Sequence, residues 1–411
     1  MNRYKIRKGV FTLDKKVVIL GNGFDLSSGL KSKYSDFFSK RINKELESLL
    51  NRAFLHFKEE LSPKSSYDTI FKVRESKDPY HTVSKINEYG VDKIYTDLLE
   101  SELTFWDLIL YMFDDGSNDL QWQDVERRML EFLNTPEGAE DIPSLNQILS
   151  LIDGKSPDEA NAKTLFCLHL ACWLPVEGRE DYASKYYDSK DVINYLYNEL
   201  RFFEKYFSIY INSVVNESYK EKARKLLLSI TKKSTLPEVD DLVFTFNYTN
   251  SFNTLNSKIS IVNVHGTVKN DNIIFGIDQE KINPNKPIFR FTKTFRQMTE
   301  TKLASTYEQE ILLPKNEVYE IAFFGHSLSE LDYSYFQTIF DHYDLYASNI
   351  SLTFYYKVYE GMTQEAMELD LADKISKLLH NYSDSIDNSK KGKNLLHKLL
   401  LEKRLIIKEI I

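Results

Sequence analysis

Apolar positions recur along this chain in two rhythms, and they divide it into three stretches. The first is short. Lys16–Leu20 reads KVVIL, the nearly unbroken apolar run of a strand buried on both faces of a parallel sheet. It leads directly into Gly21-Asn22-Gly23-Phe24-Asp25. In the second stretch, apolar residues return every three or four positions over 36–61, 83–113, 118–134, 159–174, 190–216 and 219–232, the spacing of amphipathic helices. Ile193, Leu196, Leu200, Phe203 and Phe207 mark one such face. The third stretch returns to strands. Leu242–Phe246, Ile259–Val268, Asn272–Ile277, Val318–Phe324 and Ile350–Tyr356 are mostly apolar and β-prone, and Leu405–Ile411 reads as a last edge strand. Asn270-Asp271 predicts a tight hairpin that would make the strands on either side of it antiparallel neighbours.

These patterns predict an α/β fold. A Rossmann-like parallel sheet is expected from residues 1–40 and 236–411, interrupted by a large all-helical insertion over 41–235. A length of 411 residues fits two domains, or one domain with a large insertion.

Charge narrows the classes of partner. Lys and Arg number 53 against 61 Asp and Glu, a net charge of -8, which argues against a broad nucleic-acid surface. The chain has two cysteines, Cys167 and Cys172, on an apolar helical stretch where they read as small hydrophobes. Two thiols are too few for a four-thiolate zinc site, and no metal is expected. The basic start is followed by only a short apolar strand and does not read as a signal peptide. No apolar run is long enough to span a bilayer, so a cytoplasmic protein is expected.

Three strand ends carry glycine or small polar groups: Gly21-Asn22-Gly23, Asn247 with His265-Gly266, and Gly325-His326-Ser327. In an open α/β sheet the ligand crevice lies outside the carboxyl ends of the strands, so these segments predict one nucleotide pocket. A Gly-x-Gly turn between strand and helix lets backbone approach phosphate, and the helix start offers N–H groups. Asp25 either caps the helix that follows or binds a ribose hydroxyl. Asn247 is suited to orient a water or a hydroxyl, and the imidazole of His265 to take a proton near neutral pH. Lys293 and Arg296 are candidate phosphate contacts.

GNGFDLSSGL, the following KSKYSDFF, FTFNYTN, VHGTV and GHSLSELD resemble the bacteriophage abortive infection AbiH family. The same segments are also similar, in the same order along the chain, to a divergent sirtuin core. That resemblance implies NAD as substrate. Gly21 and Gly23 would hold its diphosphate, and Asn22, Phe24 and Asp25 of the same turn are further cofactor-binding candidates. Asn247 would contact the nicotinamide-side ribose or the water, and His265, beside Gly266, would be the general base. Gly325 and Ser327, with His326, would bind the adenosine side or the phosphates, and Asp332 closes that segment. Tyr248 and Thr249 stand where sirtuins have Ile and Asp. The cysteines of the sirtuin zinc ribbon are missing, which favours NAD hydrolysis over deacylation.

The expectation is thus an anti-phage defence protein that cleaves the nicotinamide–ribose bond. Two alternatives remain open at this stage: a nucleotide-sensing module without turnover, and an adaptor or toxin acting through the helical insertion. Expected partners are NAD or a related nucleotide, a phage-derived trigger or partner protein, and a second copy of the chain. Neither a membrane nor nucleic acid is expected.

Overall fold

The computed structural model describes residues 15–60, 101–113, 122–133, 163, 166–167, 189–250, 259–280, 282–301, 303, 310–359, 361–386 and 392–410. The chain divides into two compact units. One comprises residues 1–32, 208–281 and 293–411, and the other residues 33–207 and 282–292.

The first unit holds a six-stranded sheet. Its strands are β1 (Lys15–Leu20), β2 (Leu242–Thr245), β3 (Ser260–Asn263), β4 (Val318–Phe324), β5 (Ser351–Tyr356) and β6 (Leu405–Glu409). They lie in the order β3-β2-β1-β4-β5-β6, and every neighbouring pair is parallel. This is the Rossmann strand order, with its switch point between β1 and β4. The KVVIL run is apolar throughout because alternate residues feed two cores. Val17 and Ile19 join Leu242, Phe244, Ile321, Phe323, Leu352 and Phe354 on one face. Val18 and Leu20 join Val243, Ala322 and Phe324 on the other.

Helices cover both faces. α7 (Glu217–Thr231) brings Tyr219, Ala223, Leu227 and Ile230 to the second core. α9 (Tyr333–His342) and α10 (Gln364–Ser385) bring Phe336, Ile339, Phe340, Ile375, Leu378 and Leu379 to the first. α7 thus belongs to the sheet unit, which resumes at residue 208 rather than at 236.

The expected hairpin is absent. Val268–Asn270 forms a 3-10 turn whose amide at Asn270 donates to the Thr267 hydroxyl, and Asp271 adopts a left-handed φ of 50°. Residues 272–277 then cross the end of β3 instead of extending it, with the Ile274 N–H donating to the His265 carbonyl at 2.9 Å. The apolar run Ile273–Ile277 is buried as a packed loop, not as a strand.

The second unit is helical in its described residues. These include α2 (Tyr34–Arg41), α3 (Lys44–Glu60), α4 (Phe105–Met112), α5 (Trp122–Leu133) and the greater part of α6 (Ser189–Val214). The α4 N-terminus is closed by a capping box in which Thr104 and Asp107 bond reciprocally to backbone amides. Phe37 meets Phe203 and Phe207 edge-on, and the Trp106 indole N–H donates to the Leu196 carbonyl at 3.0 Å. Cys167 is fully buried, and burial pushes its thiol pKa far up, so it behaves as a small hydrophobe. Cys172 lies outside the described residues.

Candidate active site

The carboxyl ends of β1, β2, β3 and β4 carry the sequence-predicted residues, all within the sheet unit. At the switch point the two glycine turns pack backbone against backbone. The Gly21 and Gly23 N–H groups donate to the Phe324 and Gly325 carbonyls at 3.1 and 2.8 Å. A Cβ at Gly21 would lie 2.5 Å from the His326 Cα, and one at Gly23 would lie 2.7 Å from the Gly325 Cα. Gly325 itself has φ +69. These glycines seat the turn carrying His326 directly on the β1 turn.

The residues after Gly21 serve different ends. The Asn22 side chain accepts from the Ser32 hydroxyl and donates to its carbonyl. Phe24 packs in the core, edge-on to Phe324. Asp25 is neither a helix cap nor exposed. It lies inside α1 (Asn22–Ser27), 2% exposed. The hydroxyls of Tyr219 and Thr249 donate to its carboxylate at 2.7 and 3.0 Å. Burial pushes the Asp25 carboxyl up to about 6, against the pull of those two donors. Among the predicted contacts around the switch point, Asn22, Gly23, Gly325, His326 and Ser327 keep accessible surface.

β2 and β3 deliver Asn247 and His265. The Asn263 side chain, at the last position of β3, donates to the Asn247 and Thr249 carbonyls at 3.0 Å each, fixing the loop after β2. The Asn247 carboxamide has no hydrogen-bond partner among the described residues. Gly266, with φ +78, permits the sharp exit after His265. A Cβ there would lie 2.1 Å from the Asn272 carbonyl oxygen.

The structure gathers His265, His326, Asp332 and Lys293 into one buried cluster. β3 and β4 are separated by two strands, or ~14 Å across the sheet. The loops beyond the strands close that span. His265 Nε2 lies 3.9 Å from Asp332 Oδ1, and His326 Nε2 lies 3.5 Å from Asp332 Oδ2. Phe246 stands between the imidazoles, its ring centroid 5.4 Å from His265 and 4.4 Å from His326. Lys293 Nζ donates to Asp332 Oδ1 at 2.6 Å and to the Leu331 carbonyl at 3.1 Å.

The electrostatics follow from burial and from this one carboxylate. Burial lowers the His265 pKa to about 3, helped by the Lys293 charge and opposed by Asp332. Burial likewise lowers His326 to about 4. Burial alone would raise Asp332, but the Lys293 ammonium and the two imidazoles outweigh it and hold the carboxyl below its ordinary value. The site at neutral pH is a carboxylate, an ammonium and two neutral imidazoles. The Leu328 N–H donates to His326 Nδ1 at 3.0 Å, so the His326 proton sits on Nε2 and faces Asp332. Leu328 adopts a left-handed φ of 56° to make that bond. His265 Nε2 is buried without a hydrogen-bond partner among the described residues.

Sequence reasoning gathered the segments carrying His265, His326 and Asp332 into one crevice but did not foresee the two imidazoles meeting at the Asp332 carboxylate, and it placed Lys293 and Arg296 on phosphate. Lys293 is 2% exposed and held by Asp332, and fully buried Arg296 donates to the Phe275 carbonyl at 3.0 Å. Lys293 falls among apolar and aromatic residues in PIFRFTKTF, the one signal that could have marked it as buried. Among the described residues no group of three His, Cys, Asp or Glu side chains could hold a metal ion, and no helix is long and apolar enough to cross a membrane.

A parallel α/β sheet of Rossmann order, with a histidine–carboxylate cluster over its carboxyl edge and a large helical insertion after its first strand, defines the class. The family model described as bacteriophage abortive infection AbiH matches residues 17–356, from β1 to the end of β5. The chain belongs to that family, which places it in abortive-infection defence against phage. Neither a curated protein nor a solved structure matches it.

Proposed function

We propose that this AbiH protein defends by hydrolysing NAD at the nicotinamide–ribose bond, with His265 as base. The observation that carries this reading is the His265 Nε2 atom, buried, without a hydrogen-bond partner among the described residues and 3.9 Å from an ionised carboxylate at the carboxyl edge of a Rossmann-order sheet. The dinucleotide would lie across the switch point, against the Gly21–Asp25 turn, Gly266 and the Gly325–Ser327 turn.

The chemistry suits such a site. The C–N bond breaks with its electron pair going to the nicotinamide nitrogen, which becomes neutral as it leaves. Positive charge grows on the ribose, a water oxygen forms the new C–O bond, and one water proton passes to His265. A weak base suffices, because the carbon under attack is already close to a cation. Burial keeps His265 unprotonated and able to accept. The carboxamide of Asn247 would orient the ribose or the water.

Purified protein incubated with NAD should release nicotinamide and ADP-ribose. His265→Ala should lower turnover by about 100-fold or more and Asn247→Ala by less, each assayed below the unfolding midpoint of the variant. No release by the wild type, with or without phage lysate, would sink the NADase reading. An NAD-induced thermal shift without turnover would point instead to a nucleotide sensor.

A further inference from the structure

The orphaned His265 nitrogen faces one particular atom. Asp332 Oδ1, 3.9 Å away, is too distant for a direct hydrogen bond. It is close enough for one oxygen to bond to both, since two contacts of about 2.8 Å span that gap at close to a right angle. Asp332 reaches this place by local construction. The Ser329 hydroxyl accepts from the Leu331 N–H and starts the 3-10 turn Glu330–Asp332, which sets the carboxylate at the mouth of α9. Lys293 donates to the same Oδ1 at 2.6 Å.

We propose that Asp332 is a catalytic residue that, with His265, seats the attacking water, and that Lys293 is its positioning residue. This rests on the NADase reading and deepens it. A water between the two donates one hydrogen to His265 Nε2 and the other to Asp332 Oδ1. Its lone pair is left for the anomeric carbon. When the C–O bond forms, the first proton moves to His265, and the imidazolium so made is next to the Asp332 carboxylate that stabilises it. A ribose hydroxyl fits this seat less well, because its single hydrogen would leave either the imidazole lone pair or the carboxylate facing bare oxygen.

Lys293 has two effects in this arrangement. It fixes the Asp332 carboxylate in place and in its ionised form, and it adds to burial in keeping His265 neutral before reaction. The groups facing His265 are Lys293, from the short helix α8 (Lys293–Arg296), and Asp332, before α9. His326 faces it from the end of β4, and Tyr248 and Tyr335 lie at ring distance. Burial is the main reason His265 is neutral; of these groups Lys293 and His326 add to it and Asp332 opposes it.

The test pairs kinetics with a readout that needs no turnover. Asp332→Asn keeps the shape but gives the water an amide in place of a carboxylate. It should cut kcat by about 100-fold with KM within about threefold of wild type. Lys293→Met should cut kcat less and move the acid limb of the kcat profile to higher pH, and Lys293→Arg should restore most of both. In parallel, the ring signals of labelled histidine are followed by NMR. In Lys293→Met the His265 midpoint should rise from about 3 toward the usual histidine range.

Asp332→Asn with near wild-type kcat, or a His265 midpoint unmoved in Lys293→Met, would overturn the proposal while leaving NAD hydrolysis standing. A wild type without turnover that still shows the NMR shift would retain the Lys293–His265 coupling but remove the water seat together with the NADase reading.

Discussion

Two neutral imidazoles buried beside a carboxylate make the stability of this protein sensitive to acid in a definable way. The folded pKa of His265, about 3, lies below the unfolded value of roughly 6.5. The unfolded chain therefore binds more protons between those limits, and the contribution of His265 is complete above about pH 6.5 and lost as pH falls toward 3. His326 behaves in the same way, down to about 4. Asp25 has the opposite sign. Its folded pKa of about 6 exceeds the ordinary carboxylate value, so protonation stabilises the fold as pH falls through that range. The whole-protein curve mixes these effects, and a variant separates them. The difference in unfolding free energy between wild type and His265→Gln should shrink by up to ~1.4 kcal/mol per pH unit on going from pH 6.5 to 4. Urea midpoints at pH 7, 6 and 5 measure it. Parallel curves would mean that His265 is not held neutral by its surroundings.

At the scale of single elements, apolar patterning revealed where the strands lie but not which charges they bury. KVVIL reads correctly as a two-faced strand because every side chain after its lysine is apolar. Lys16 looks like its polar start, yet it is 1% exposed. Its ammonium pairs with Glu320 of β4 at 2.9 Å and donates to the Ile230 carbonyl at 3.1 Å. No local pattern announces a partner on a strand that joins the chain hundreds of residues later. The same blindness hid the Lys293–Asp332 pair. Residues 272–277 failed for a different reason. Their apolar run is real, but a left-handed Asp271 and the close approach at Gly266 turn it across the sheet end. The buried pair invites a cycle. Lys16→Met alone should cost about 3–5 kcal/mol, because Glu320 is left charged and dry beneath the β1–β4 seam. Lys16→Met with Glu320→Leu should recover most of that loss in urea unfolding. A double variant as unstable as the single one would show that the pair itself, not its half-removal, holds the seam.

For the molecule as a whole, the strand-end signals were legible because β1, β2, β3 and β4 all discharge their chemistry at one edge, as parallel order requires. The contact of His265 and His326 through Asp332 was not, since it depends on loops that bend ~14 Å back across the sheet. That geometry ties the site to the integrity of the entire sheet, including strands that never touch it. Arg404, at the entry to β6, is the clearest handle. Its guanidinium donates to the Ile350 carbonyl at 2.8 Å and to the Leu345 carbonyl at 2.5 Å, and its own carbonyl accepts from the Leu352 N–H. Arg404→Ala strands two buried carbonyls and should cost about 3 kcal/mol, at 1–3 kcal/mol for each. Ile407→Lys, on the exposed part of the same strand, should change stability by only about 0.5 kcal/mol. If the sheet unfolds as one unit, hydrogen exchange at the centre of β1 will lose as much protection in Arg404→Ala as exchange in β5. Loss confined to β5 and β6 would mean that the edge frays on its own. In that case the cluster of His265, His326, Asp332 and Lys293 should keep its geometry in a protein whose far edge is open.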